Sequence, residues 1–233
     1  IKDIKWKSFL LMKVSNGEMD WIKATDLKEF KNKAVAPPSQ KQMPIYRGEK
    51  FVKTMTYVTP SGEVLIGGQN YKKALLKDEE TQDRPEAFKD LVLFHFDEKG
   101  ALKAQYGVRR DKMNAHSKAF PTTQDLCLSK DGEKLYWIYG EIKGIKGGFA
   151  LGDFLGADIG TLSKTKLLYY PAVAKINLSK AEVGDFSMLG KGEDGKQAYF
   201  AHPDYSHIVT DEHLLFLGED KSGKTIWMGK MGL

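Results

Sequence analysis

Apolar positions in this chain fall in short runs separated by tight polar turns. The runs are FLLMKV (9–14), EVLIGGQN (63–70), LVLFHF (91–96), KLYWIYGE (134–141), AVAKINL (172–178), HLLFLGE (213–219) and TIWMGKM (225–231). Each is strand length and rich in β-branched and aromatic residues. The intervening SNGE, TPSGE, DEKG, SKDGE, DEH and DKSG supply the Gly, Asn and Asp that tolerate a positive φ. Several runs are apolar at consecutive positions: Leu91 to Phe94, and Leu214 to Leu217. A strand points successive side chains to opposite faces, so both faces of these strands must be covered. An all-β chain of sheets stacked on sheets follows.

Three segments align: VLIGGQN, YWIYGEI and LFLGED, each an apolar run ending in glycine and then Gln or Glu, at Gly68, Gly140 and Gly218. Each follows a strand and a tight turn, and the first two are followed, after an insertion, by a second hairpin. Four strands repeated at this spacing is the pattern of β-propeller blades. The Gly67–Gly68 pair, the gap and then LVLFHFDEKG resemble the kelch-like repeat of propellers. MKVSNGEMDWIKA (12–24) resembles the last hairpin of that repeat, with Trp21 at its tryptophan position. The resemblance implies architecture, because propellers of this kind serve unrelated functions.

Read as one propeller region over 1–233, the chain divides into a partial blade (1–30), blades at 45–110 and 111–190, and a partial blade (191–233). The last strand is then a third strand with no fourth after it, and the chain reads as the C-terminal arc of a larger propeller, its remaining blades missing. Connections alternate between the two ends of antiparallel sheets. The tight turns fall at one end except for 219–223, whereas 25–51, 71–89, 108–121, 142–171 and 190–205 fall at the other, the end where such scaffolds carry function. Within 142–171, glycines recur every fourth residue at 144, 148, 152, 156 and 160. Five glycines cost a helix roughly 5 kcal/mol against alanine, so a helix there needs close packing, and a packed short helix is the reading adopted. No Lys-Ser/Thr follows as in a phosphate-binding loop.

The formal charge of +5 changes little. Arginine, which reads base edges, stands only at 47, 84, 109 and 110, and acidic residues interleave with the lysines, so nucleic acid is not an expected partner. No apolar run of about 18 residues is present, so no spanning helix is expected. An extracytoplasmic setting (periplasm, envelope or secreted) is the expected location. The single cysteine, Cys127, lies in an apolar alternation and reads as a small buried hydrophobe.

Candidate ligand-binding residues gather at the long-loop end. Tyr46, Arg47, Phe120, Tyr169 and Tyr170 flank the starts of strands there and either bind a protein or glycan or brace the loops. Thr54, Gln124 and Asp125 open the first strands of two blades, and Asp204, Tyr205 and His207 open those of a third. His202, Asp204 and His207 match no metal-ligand spacing, so no metal or other cofactor is expected. His95 reads as a satisfied core histidine, and His116 and His213 as exposed turn residues. No G-x-S-x-G and no paired nucleophile and base occur. A non-catalytic binding or scaffold propeller, engaging a protein or glycan, is the reading that follows. The alternative is a channel-centred hydrolase or lyase.

Overall fold

The computed structural model describes residues 6–41, 44–73, 86–109, 121–145, 167–196, 198–201, 207–210, 212–220 and 222–233. The chain is nearly all β, and one of its sheets curls into a half-barrel. The described residues form two compact units, one within 1–112 and 176–185, the other within 113–175 and 186–233.

In the first unit, β1 (Ser8–Ser15) and β2 (Glu18–Asp26) make a two-stranded hairpin. Asn16 and Gly17 turn it with φ of 52° and 86°, the left-handed pair that matches strand twist. A short helix α1 (Leu27–Asn32) follows at once. Asp26 caps it: its carboxylate accepts the Lys28 N–H at 2.8 Å, and Glu29 reaches back to the Asp26 N–H. Next come β3 (Ala34–Val35) and the meander β4 (Lys50–Val58), β5 (Val64–Lys73), β6 (Glu86–Phe96) and β7 (Leu102–Val108). The four meander strands pair antiparallel in sequence order, and β3 joins the far edge parallel to β7. One complete four-stranded meander within 45–110 thus forms where the apolar runs and turns place it. The helix and the fifth, parallel strand lie in a segment, 25–51, that reads from sequence as a connection.

Both faces of this sheet are buried, as the consecutive apolar runs require. On one face Ile66, Val92, Phe94, Phe96 and Leu102 form a core with Phe30 and Tyr46, and Phe9, Leu11 and Phe51 pack against it. On the other, Leu65, Leu91, Leu93, His95, Ala104 and Tyr106 are wholly inaccessible. Gln105, also fully buried, ties the 25–51 segment down. Its backbone N–H donates to Lys33 O (2.8 Å), its Nε2 to Pro44 O (2.8 Å), and its Oε1 accepts the Tyr46 N–H (3.0 Å). A buried amide satisfied on both sides in this way holds an otherwise irregular segment in place.

The second unit is built on β8 (Gln124–Leu128), β9 (Lys134–Ile145) and β10 (Leu167–Asn177), with the two-residue strand β12 (Ser187–Met188) paired to β10; the last two residues of β10, Ile176 and Asn177, pair with β11 (Glu182–Val183) and fall with it in the first unit. Then come β13 (Tyr199–Ala201), β14 (His207–Val209), β15 (His213–Asp220) and β16 (Ile226–Gly232). The sequence separates these into a blade and the start of another. The structure instead joins them in a single nine-stranded sheet, because β13 pairs with β10 at Tyr169 and with β15 at three positions. The turns use side-chain oxygens as well as glycine. Asp131 accepts the Glu133 N–H and the Ser129 hydroxyl, and Asp220 accepts the N–H groups of Lys224 and Thr225. Of the glycine series, Gly144 is the penultimate residue of β9 and therefore extended, and 148–160 lie outside the described residues.

Candidate functional site

A cavity of about 200 Å³ opens in the second unit, lined by Thr123, Gln124 and Asp125, by Ile138, Tyr139 and Gly140, and by Tyr169, Pro171, Ala201 and Phe216. These are the residue before β8 and its first two residues, the middle of β9, the start of β10, the end of β13 and the centre of β15. The starts of β8 and β10 are where the connections 108–121 and 142–171 enter the sheet, whereas the β9 and β15 residues lie mid-strand. Two of the cavity's lining residues, Ile138 and Phe216, belong to the apolar core cluster that also holds Cys127, Tyr136, Val173 and Leu214.

Local pairing explains why these side chains meet. Gln124 lies opposite Tyr139 and Asp125 opposite Ile138, and the Gly140 N–H donates to Thr123 O at 3.0 Å. A Cβ at Gly140 would lie 2.8 Å from Thr123 Oγ1 and 3.0 Å from Tyr169 Cδ1, so the missing side chain lets the hydroxyl and the ring close on one spot. Trp137 Nε1 donates to Gln124 Oε1 at 3.1 Å, which orients that amide. Asp125 Oδ1 accepts the N–H of Leu126 at 2.8 Å, and its carboxylate lies at the exposed rim. Two positions along β8, burial and then Asp125 raise the Cys127 thiol, which keeps it protonated and unreactive, as its apolar setting in the sequence suggests.

Of the residues expected to bind ligand, Gln124, Asp125 and Tyr169 come together here. Tyr170, one residue further along an extended strand, stacks on Phe200 with ring centroids 4.7 Å apart and does not line the cavity. His207 pairs through its backbone with Phe216, a lining residue. Tyr46, Arg47 and Thr54 belong to the first unit. Tyr46 is a core ring only 4% exposed, its hydroxyl donating to Glu49 O at 2.9 Å and its ionisation pushed up to about 12 by burial. Of the two roles open to it from sequence, it braces. Arg47 is exposed with its N–H on Glu49, and the Thr54 hydroxyl donates to Gly67 O. Phe120, His202, Asp204 and Tyr205 lie outside the described residues. Sequence reasoning missed Thr123, Ile138, Tyr139, Gly140, Pro171, Ala201 and Phe216. The hairpin register alone, with Gln124 opposite Tyr139, would have brought in the β9 residues.

The first unit also carries a buried polar network around His95. His95 Nδ1 lies 3.1 Å from the Tyr106 hydroxyl, and Nε2 lies 3.5 Å from Glu63 Oε1, which also holds Lys103 Nζ at 2.6 Å. Burial, the largest effect, lowers the His95 ionisation below its usual value near 6.5, and Lys103 acts in the same direction against Glu63. The unfolded chain therefore binds a proton at a pH where the folded chain does not. Stability attributable to His95 is complete above pH 6.5 and declines as pH falls from there towards the folded-state value. Urea midpoints measured in steps below pH 7 should show this slope in the native chain and a flatter one in His95→Gln. Equal slopes would remove His95 as the cause.

Among the described residues no three His, Cys, Asp or Glu side chains group as metal ligands, and no helix is long and apolar enough to cross a membrane. No protein-family model, curated protein or solved structure matches the chain.

Proposed function

We propose that this chain is a non-catalytic binding scaffold of the β-propeller type, with kelch-like repeats, that takes a glycan at the long-loop end of its second unit. Support for the blade reading comes from the β4–β7 meander and from three glycines, Gly68, Gly140 and Gly218, that stand in the second strand of successive hairpins and admit a close neighbour each time. The cavity carries the functional reading. At about 200 Å³ it is smaller than the roughly 300–1,000 Å³ of pockets for cofactors and drug-sized ligands, and it suits one sugar ring. Its lining joins the apolar Ile138, Tyr169 and Phe216 with the exposed hydroxyl of Thr123 and carboxylate of Asp125, whereas the Tyr139 ring packs on Phe186. Among the described lining residues Asp125 is the sole carboxylate, whereas glycoside hydrolysis uses a pair. Binding is therefore preferred to the hydrolase or lyase alternative.

A glycan array followed by titration calorimetry tests this. The native chain should retain a set of glycans sharing one terminal sugar. The exposed changes Thr123→Val and Asp125→Asn should each weaken binding about tenfold, or about 1.4 kcal/mol, without altering the melting temperature. An array with no bound glycan, or titrations that both variants leave unchanged, would overturn the proposal.

A further inference from the structure

Two surfaces of this chain are built as packing faces, and each lacks a partner among the described residues. The β1–β2 hairpin uses one face internally: Phe9 stacks on Phe96 with centroids 5.5 Å apart and meets Phe94 edge-on at 5.8 Å. Its other face presents Leu10, Met12 and Val14 on β1, with Ile22 opposite Met12 and Met19 opposite Val14. All five are more than half exposed. In the second unit, β16 turns Trp227 and Met231 onto the core and Ile226, Met228 and Lys230 outward, Ile226 and Met228 being 81% and 71% exposed, with Glu219 opposite Ile226 and the partly exposed Leu217 opposite Met228. Both β1 and β16 are edge strands. Exposed strands of globular chains are ordinarily blunted by lysine, proline or a covering loop, and a flat apolar edge is a site of association. Here the lysines of the hairpin, Lys13 and Lys23, stand in the inward register of Phe9 and Leu11, which leaves the outward face uncharged from Leu10 to Val14.

We propose that a second copy of this chain covers these surfaces head to tail, the outer face of β1–β2 of one copy packing on the outer face of β15–β16 of the next. The pairing follows from the pattern each surface requires. An outward face with large apolar residues at alternate positions is complemented by another of the same kind, and the chain carries one on each unit. Taking on the order of 180 Å² for a fully exposed large apolar residue, the eight side chains together present roughly 900 Å². With interfaces about 65% apolar at most, one contact then buries roughly 1,400 Å² in total, within the range of specific association. Because the two faces differ, the contact is heterologous and propagates from copy to copy until it closes.

Sedimentation velocity on the full chain across a hundredfold concentration range provides the test. The native chain should associate reversibly, and Met12→Lys and Ile226→Lys should each raise the dissociation constant at least tenfold while melting as the native chain does. An equimolar mixture of the two variants should recover a one-to-one complex, because one retains the β15–β16 face and the other the β1–β2 face. A native chain that stays monomeric at the highest concentration overturns the proposal. So does an Ile226→Lys variant that still pairs with itself, or a mixture that recovers nothing.

Discussion

Truncating Phe94 to alanine should destabilise the first unit by about 3–5 kcal/mol, the range for a large aromatic removed from a closed core. The ring is wholly buried and is the hub of an aromatic cluster, with centroids 4.9 Å from Phe30, 5.2 Å from Tyr46, 5.3 Å from Phe51 and 5.8 Å from Phe9. These neighbours come from the hairpin, the helix, the 25–51 segment and β4. Collapse of one element into the space therefore pulls another off its contact, which places the cost at the upper part of the range. Domains of this size are stable by roughly 5–15 kcal/mol, so the loss would show as a large fall in the urea midpoint of the first unit. A fall equivalent to less than about 1.5 kcal/mol, the cost of a volume-conserving swap, would mean that Phe94 is not the hub.

A comparable effect is expected at Gly218. A Cβ there would fall on the Phe200 carbonyl oxygen, 2.7 Å from the Phe200 carbonyl carbon and 3.1 Å from Ala201 Cα. All three are backbone atoms, and both residues belong to β13, the strand that joins β10 to β15. No rotamer change relieves such a clash, so the sheet must part at that point. Gly218→Val should cost about 3 kcal/mol or more and prevent accumulation of soluble chain, and Gly218→Ala should lower the melting temperature clearly. Gly232, with nothing within 4 Å of an added Cβ, is the control, and its alanine variant should lie within about 0.5 kcal/mol of native. If Gly218→Ala melts with the native chain, β13 is not held as described.

The same two positions show what the sequence made legible. Strands and turns could be read because the turn residues have a backbone reason to be where they are, as Asn16 and Gly17 do, and because consecutive apolar residues in β6 and β15 required cover on both faces. What could not be read were elements too short for periodicity to register. Helix α1 has six residues, and its one signal is the capping pair Asp26 and Glu29. Strands β3 and β13, of two and three residues, owe their existence to what lies beside them. The candidate cavity was legible in part for the same reason. Gln124, Asp125 and Tyr169 stand at predictable ends of strands, whereas Tyr139, Ala201 and Phe216 reach it through register, which no local pattern encodes. Tyr46 shows the opposite limit: an aromatic beside a long connection is equally suited to binding and to bracing, and only its burial decides.

The Gln105 anchor has a consequence for the order of assembly. The β4–β5 and β6–β7 hairpins of the meander close over a few residues each, so their loop-closure cost is small and their amides are expected to gain protection early. The bonds from Gln105 to Tyr46 and Pro44 span 59 and 61 residues and so close far longer loops. The 25–51 segment is thus expected to dock late, on a sheet already formed. In hydrogen exchange it would open as a unit of its own, at a lower free energy than the strands beneath it.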